Sequence, residues 1–285
     1  MRFGPPVYVR RQIVHNPHVV RALERQGAVF VAEVDDVPAG ARLVLAAHGV
    51  APDVRRAAAA RNLAVIDATC PLVTKTHREV RRFAADGYSI ILIGVQGHDE
   101  VVGTAGEAPE QVIVITDPAE VDHVVVPDET RVAWVSQTTL NADYVVAVTE
   151  RLRRRFPALV DPPSESICYA VSNRQRAVRE IAADSDLFIV VGAPNSHNSQ
   201  SMVGVARSAG ANAAYLVDSA DEMRPEWLVG VTTVGVSSGA SVPDALVQNV
   251  IGWLADRGYP EVAVATSTVE TMVFAKPREL TMLLR

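Results

Sequence analysis

Residues 63–87, LAVIDATCPLVTKTHREVRRFAADG, decide how the chain is to be read. LAVIDA is a short β-branched apolar run that reads as a buried strand. The helical segment after it opens at Pro71 and stops at Gly87, residue types that helix starts and ends prefer. Between the two lie Thr69 and the thiol of Cys70.

The same alternation continues on either side. PVYVR, AVFV, RLVLAA, YSIILIG, QVIVIT, RVAWVS, DLFIVV, AAYLV and TTVGV read as further strands. NPHVVRALERQG, APDVRRAAAARN, LNADYVVAVTERLRRRF, NRQRAVREIAADS and VPDALVQNVIGWLADRG read as helices. Strands alternating with helices predict an α/β protein built on parallel sheets covered on both faces. The Pro-rich VDPPSES at 160–166 is the expected linker. GHDEVVGTAGEAPE is a second break, Gly-rich and polar, too short to separate domains.

Composition excludes several classes. With 285 residues and 48% hydrophobic content, the chain can bury a substantial core and is read as a soluble globular protein. A net charge of -6 argues against a nucleic-acid surface, which needs clustered Lys and Arg to displace counterions. The basic RLRRRFP at 151–157 reads as the solvated end of a helix, where cations suit the dipole. No apolar run approaches the roughly 18 residues of a membrane span, and MRFGPPVYVRRQ carries no hydrophobic signal core. Two cysteines make no disulfide framework, so a reducing cytoplasm is expected.

In open parallel sheets ligands bind beyond the carboxyl ends of the strands. The segments there are AAHG (His48), DATCP (Cys70), VQGHDE (His98, Glu100), SQTT (Thr138, Thr139), APNSHNS (Ser196, His197, Asn198) and SSGAS (Ser241). None of them offers Lys or Arg. Each residue also has a purely structural reading. His48 and His98, beside glycines, suit turns; Cys70 suits a small buried hydrophobe; Thr69 and the Ser and Asn of NSHNS suit helix caps. Taken as a set, neutral donors at several strand ends near helix N-termini describe a pocket for a phosphate-bearing ligand. A thiol at a helix N-terminus acts as ligand or nucleophile because the dipole favours the thiolate. Cysteine spacing matches no zinc ribbon or ferredoxin, which leaves a zinc hydrolase using Cys70, Cys168 and a histidine as a weak alternative.

VYVRRQIVHNPHVV, LVLAAHGV, IDATCPLVTKTHREV, GHDEVVGTAGE, VSQTTL, ICYAVSNRQRAV, VVGAPNSHNS, GVSSGASVPDALVQNV and ETMVFAKPREL occur in order from about residue 4 to about 280. Together they resemble the 4-hydroxy-3-methylbut-2-enyl diphosphate reductases, the LytB/IspH family. The resemblance implies three small α/β domains in a trefoil around a central cavity. The expected boundaries are 1–70 joined by the tail 259–285, then 71–167, then 168–258. It also implies a [4Fe-4S] cluster and a two-electron reductive removal of an allylic hydroxyl. The products would be isopentenyl and dimethylallyl diphosphates plus water, in the last step of the non-mevalonate isoprenoid pathway, with a ferredoxin or flavodoxin as electron donor. Residue by residue, Cys70 and Cys168 match cluster ligands, and His15, His48 and His98 match histidines around the substrate. Ser196, Asn198 and Ser241 match diphosphate donors, with His197 set among them. Glu100 matches the proton-donating carboxylate and Thr138 the hydroxyl beside it.

Two departures from the family pattern stand out. Members of the family begin with an extra strand and a loop, PRGFCAGV, that supplies a third cysteine ligand, whereas this sequence opens at MRFGPP as though inside the following helix. The first domain is therefore expected to lack a central strand and the cluster one thiolate. A start placed downstream or a truncated chain accounts for this best; the alternatives are a cluster-free paralogue that binds a diphosphate and, last, another residue completing the cluster. In NSHNSQS, His197 stands where the family has a small residue and Ser201 where it has an Arg, so diphosphate affinity or substrate preference is expected to differ.

Overall fold

The structure is a computed structural model and describes residues 6–283. Its strands form three all-parallel sheets. The first contains β1 (Val7–Arg10), β2 (Ala28–Val31), β3 (Arg42–Leu45) and β4 (Ala64–Asp67), in the order β2-β1-β3-β4. The second contains β5 (Ser89–Ile93), β6 (Val112–Ile115) and β7 (Val132–Ser136), with β5 central. The third contains β8 (Leu187–Val191), β9 (Ala213–Val217) and β10 (Val234–Ser238), with β8 central. Nine α-helices are described: α1 (Pro17–Arg25), α2 (Pro52–Ala60), α3 (Pro71–Ala85), α4 (Asp99–Ala105), α5 (Ala142–Arg155), α6 (Tyr169–Ala182), α7 (His197–Ser208), α8 (Asp244–Ala255) and α9 (Arg278–Leu283).

Central parallel strands are buried on both faces, and their sequences show it. Along β5, Ile91 and Ile93 join Val145, Val148 and Leu152 of α5, while Ile90 and Leu92 on the opposite face join Val80 and Phe83 of α3. Along β8, Phe188 and Val190 pack with Val178 of α6 and Met202 and Val205 of α7. Leu187, Ile189 and Val191 face Val250 and Leu254 of α8. Each such side chain, fully withdrawn from water, contributes about 1.5–3 kcal/mol.

All ten expected strands are present. The first sheet is continuous: β1 and β3 are each paired on both sides, and the edges are β2 and β4. Three of the described helices were not among those expected, α4, α7 and α9. α4 lies within the Gly-rich break, where poor intrinsic helix propensity is overridden by packing on α3 and β6.

The chain divides into two compact units, residues 1–14, 20–167 and 273–285 in one and residues 15–19 and 168–272 in the other. The first unit carries the first and second sheets, with α9 beside β4. The second carries the third sheet; in it Ser267 donates to the Asn173 carbonyl of α6 (3.4 Å) and Glu270 accepts from the Asn173 amide (3.2 Å). The boundary after Ile167 falls at the end of the Pro-rich linker. In the first unit Lys75 donates to the Glu165 carbonyl (2.6 Å) and Ser164 approaches Glu79 (3.5 Å), which fastens that linker to α3.

Candidate active site

In the first unit, the site is assembled where β5 ends and α4 begins. A Cβ at Gly94 would lie 2.5 Å from Val101, so glycine there lets α4 close against the strand end. His98 is the N-cap of α4, and its Nδ1 accepts from the Glu100 backbone N–H (3.1 Å), which leaves the ring proton of the neutral form on Nε2. The Glu100 side chain turns inward and is fully enclosed. Thr138, just beyond β7, donates its backbone N–H to the Glu100 carboxylate (2.6 Å), and its hydroxyl donates as well. Desolvation dominates over these two hydrogen bonds and pushes the carboxyl up to about 7. A carboxylic acid with that pKa can release and regain a proton at neutral pH.

His48 and Cys70 come to the same place from the first sheet. Cys70 is the N-cap of α3, and its backbone N–H donates to the Ala47 carbonyl (2.9 Å), beside His48. Thr69 does not cap this helix. Its backbone and hydroxyl instead bind the Asp67 carboxylate, which also receives Arg55 (3.0 Å). Burial raises the Asp67 carboxyl, but the Thr69 bonds and the Arg55 charge outweigh it and hold the pKa below the ordinary carboxylate range.

His48 is followed by Gly49 in the left-handed region (φ +78°). α4 meets this turn through glycines: a Cβ at Gly103 would lie 3.2 Å from the Val50 nitrogen, and one at Gly106 would lie 2.5 Å from the Ala51 Cβ. That close approach sets the His48 ring edge-on to His98, centroids 5.7 Å apart. His48, His98, Glu100, Thr138 and Cys70 thus share one end of the first unit.

α4 is fixed at both ends. Beyond its C-terminus the buried Glu107 carboxylate accepts from His77 (2.7 Å) and Arg81 (2.7 Å), with Arg55 at 3.8 Å. Burial lowers the His77 pKa, helped by Arg55 and Arg81 and opposed by Glu107, so the ring is neutral and donates through Nδ1. At the N-terminus Asp99 pairs with Arg11, whose guanidinium also reaches Glu33 (3.0 Å). Arg11 itself is left-handed (φ +53°), a conformation that costs a non-glycine residue about 1 kcal/mol or more.

The second unit gathers the remaining candidates. Ser196 is the N-cap of α7 and accepts from the Ser199 backbone, while the two hydroxyls lie 3.1 Å apart. The Ser199 hydroxyl sits so close to Gly192 and Gly239 that a Cβ at either would lie 2.2 Å from it. This brings the loop after β10 to the start of α7. Ser241 in that loop donates to the His15 carbonyl (3.4 Å). Asn198 is buried, and neither end of its amide has a hydrogen-bond partner. A buried unpaired amide is costly without a ligand to satisfy it. Burial lowers the His197 pKa, which favours the neutral ring. Cys168 is the N-cap of α6, and its sulfur makes no capping bond there.

Gln137, Arg11, Asp99, Glu107, His77 and Ser199 were not singled out from the sequence. Gln137, Asp99 and Ser199 were nonetheless inside the strand-end segments that were. Gln137 is buried and accepts from the Val95 N–H (3.0 Å), holding the turn that leads to His98. For Arg11, Glu107 and His77 the sequence carries no local sign, because their partners lie 22 to 88 residues away.

Cys70 and Cys168 are both free of disulfides, partly exposed and placed at helix N-termini. Soft sulfur donors in that setting fit an iron-sulfur group. No helix among the described residues is long and apolar enough to cross a membrane.

Comparison with known proteins gives the family of the chain. The LytB protein family matches residues 1–255. A curated protein of Mycobacterium leprae, 4-hydroxy-3-methylbut-2-enyl diphosphate reductase, is 60% identical over 279 residues, 98% of this chain and 84% of its own. The protein of the same name from Acidothermus cellulolyticus is 58% identical, over 98% of this chain and 82% of its own. The solved E-1-hydroxy-2-methyl-but-2-enyl-4-diphosphate reductase of Plasmodium falciparum superposes with a TM-score of 0.94 at 35% identity, covering 99% of this chain and 89% of that one. On the residues from β1 to α8 and on their fold, the chain belongs to the LytB family.

Proposed function

We propose that the chain is an oxidoreductase, a 4-hydroxy-3-methylbut-2-enyl diphosphate reductase of the non-mevalonate isoprenoid pathway. Its reaction adds two electrons and two protons to the allylic alcohol; the C–O bond breaks and the oxygen leaves as water. The remaining allyl fragment takes the second proton on carbon, giving isopentenyl or dimethylallyl diphosphate. The observation that carries this reading is Glu100: a fully enclosed carboxyl with pKa about 7, held by Thr138 and adjoining His98.

In this reading Glu100 gives up the protons, with Thr138 fixing its orientation and relaying through its hydroxyl. His98 presents Nε2–H to the substrate. His48 and His15 serve the diphosphate together with Ser196, His197, Asn198 and Ser241, and the unpaired Asn198 amide supports that assignment. Several neutral donors converging in an enclosed site can replace cations on a diphosphate. Cys70 and Cys168 would be two of the residues that hold a [4Fe-4S] cluster, which would supply the electrons one at a time from a ferredoxin or flavodoxin. Free cysteines suit the cytoplasm as the compartment.

Because the 285 residues include two cysteines, a second reading stands beside the first: a cluster-free relative that binds a diphosphate without redox chemistry. Purification without oxygen separates them. The reductase is expected to be brown, with about four irons per chain, and to turn over with dithionite. A colourless chain that binds the diphosphate and does not turn over overturns the first reading in favour of the second. A Gly-Phe-Cys-Ala-Gly-like segment in the reading frame upstream of Met1 would favour the first reading, and its absence the second.

A further inference from the structure

Among the described arginines of the first unit, Arg11 alone adopts the left-handed backbone region, at φ +53°. A residue with a Cβ stays there only where its surroundings hold it. Its backbone N–H donates to the Val31 carbonyl of β2 (2.7 Å), and its guanidinium divides between Glu33 (3.0 Å) and Asp99. Glu33 is itself held by Arg10 (2.7 Å). The strained residue is therefore anchored on the first sheet through its backbone and Glu33, and its other guanidinium nitrogen reaches the first residue of α4.

Asp99 lies between His98 and Glu100 in the sequence. Its carboxylate lies within 4.8 Å of a ring nitrogen of His48. The C-terminal half of α4 and its C-cap are seated by Gly103 and Gly106, and beyond them Glu107 is clasped by His77 and Arg81. Arg11 supplies the corresponding hold at the N-terminal turn, where the acid-base groups are.

We propose that Arg11 is a positioning residue for the reaction: through Asp99 it sets the orientation of the first turn of α4 and hence the aim of the Glu100 carboxyl. The proposal rests on the reductase reading given above. As a stabilising contact the pair is weak, because the Arg11 side chain is 37% exposed and such ion pairs contribute little. Its effect is on geometry, where a displacement of about 1 Å at a proton donor can cost up to about a hundredfold in rate.

The test compares Arg11→Gly and Arg11→Lys in the full chain, loaded with its cluster for kinetics and as purified for hydrogen exchange. Glycine accepts the left-handed backbone without strain, so Arg11→Gly removes the guanidinium while leaving the chain path intact. The expected result is a melting temperature within about 2 °C of the parent and kcat lowered about tenfold, with KM changed by less than about twofold. Amide exchange should accelerate at residues 99–101 and at Thr138, whose N–H reports the Glu100 contact, and Arg11→Lys should restore part of both effects. Parental kcat together with parental exchange at Thr138 overturns the proposal, as does a loss of kcat accompanied by equally faster exchange throughout β5 and α5. If the parent itself shows no turnover, the reductase reading fails. The exchange measurement still decides whether Arg11 orients α4.

Discussion

The Glu100 carboxyl holds its proton up to about pH 7 because the protein has taken it out of water, and this has a thermodynamic cost that can be measured. In the unfolded chain the group returns to its ordinary 4.5. Between 4.5 and about 7 the native state binds the extra proton, so stability falls as pH rises through that window. Above it the whole cost is present, about 3 kcal/mol at about 1.4 kcal/mol per pH unit. Glu100→Gln removes the titration: it should melt near the parent at pH 5 and several degrees above it at pH 8, while turnover drops at least about a hundredfold. Thermal unfolding at the two pH values checks the first outcome, and equal melting shifts at both would refute the burial argument. His98, Glu100 and Thr138 were legible as polar residues at strand ends, and the family resemblance gave them roles. The ion pair of Arg11 with Asp99 was not legible, since nothing in VYVRRQ points to a residue 88 positions away.

At the scale of elements, the strands were the easily read part, because a buried parallel strand must be an unbroken apolar run and SIILI and LFIVV can be little else. α4 was missed for the opposite reason. DEVVGTA has three β-branched residues and a glycine in its interior, and its helical state is imposed by the neighbours that glycine lets it touch. Two substitutions separate propensity from packing. Gly252→Ala in α8 meets nothing within 4 Å and should stabilise by about 0.5–1 kcal/mol, the ordinary helix gain. Gly103→Ala has the same gain but drives its methyl to 3.2–3.3 Å from the backbone of Gly49 and Val50, which cannot swing aside as a side chain would. It should destabilise by about 1–2 kcal/mol and raise KM for the diphosphate substrate by moving His48 from His98. Melting curves and steady-state kinetics on the pair check this; a stabilised Gly103→Ala with unchanged KM would show that the contact between α4 and the turn is loose. Glu107→Ala should cost more, about 3 kcal/mol, because it leaves His77 and Arg81 facing an empty acceptor position, a loss that urea titration reads directly.

For the whole molecule, composition and periodicity predicted an α/β protein with parallel sheets, and the three sheets are there. Local patterns could not say which strands form which sheet, since every run was equally apolar; in the first sheet the order β2-β1-β3-β4 comes from long-range pairing. The cysteines illustrate the same limit. Their spacing resembles no metal motif, yet both cap helices at their N-termini, and a metal group held by them would bind the folded chain and not the unfolded one. Loading iron and sulfide should therefore raise the melting temperature, on the order of 10 °C for a group present at about a thousand times its dissociation constant. Chelation should return the protein to its starting value. Cys70→Ser and Cys168→Ser, at partly exposed sites, should leave the unloaded protein's melting temperature within about 2 °C of the parent and abolish the increment on loading. Calorimetry of loaded and stripped protein checks all three, alongside iron content and visible absorbance. An increment that survives either substitution would mean that the stabilising metal is bound elsewhere, and that the two thiols are packing residues after all.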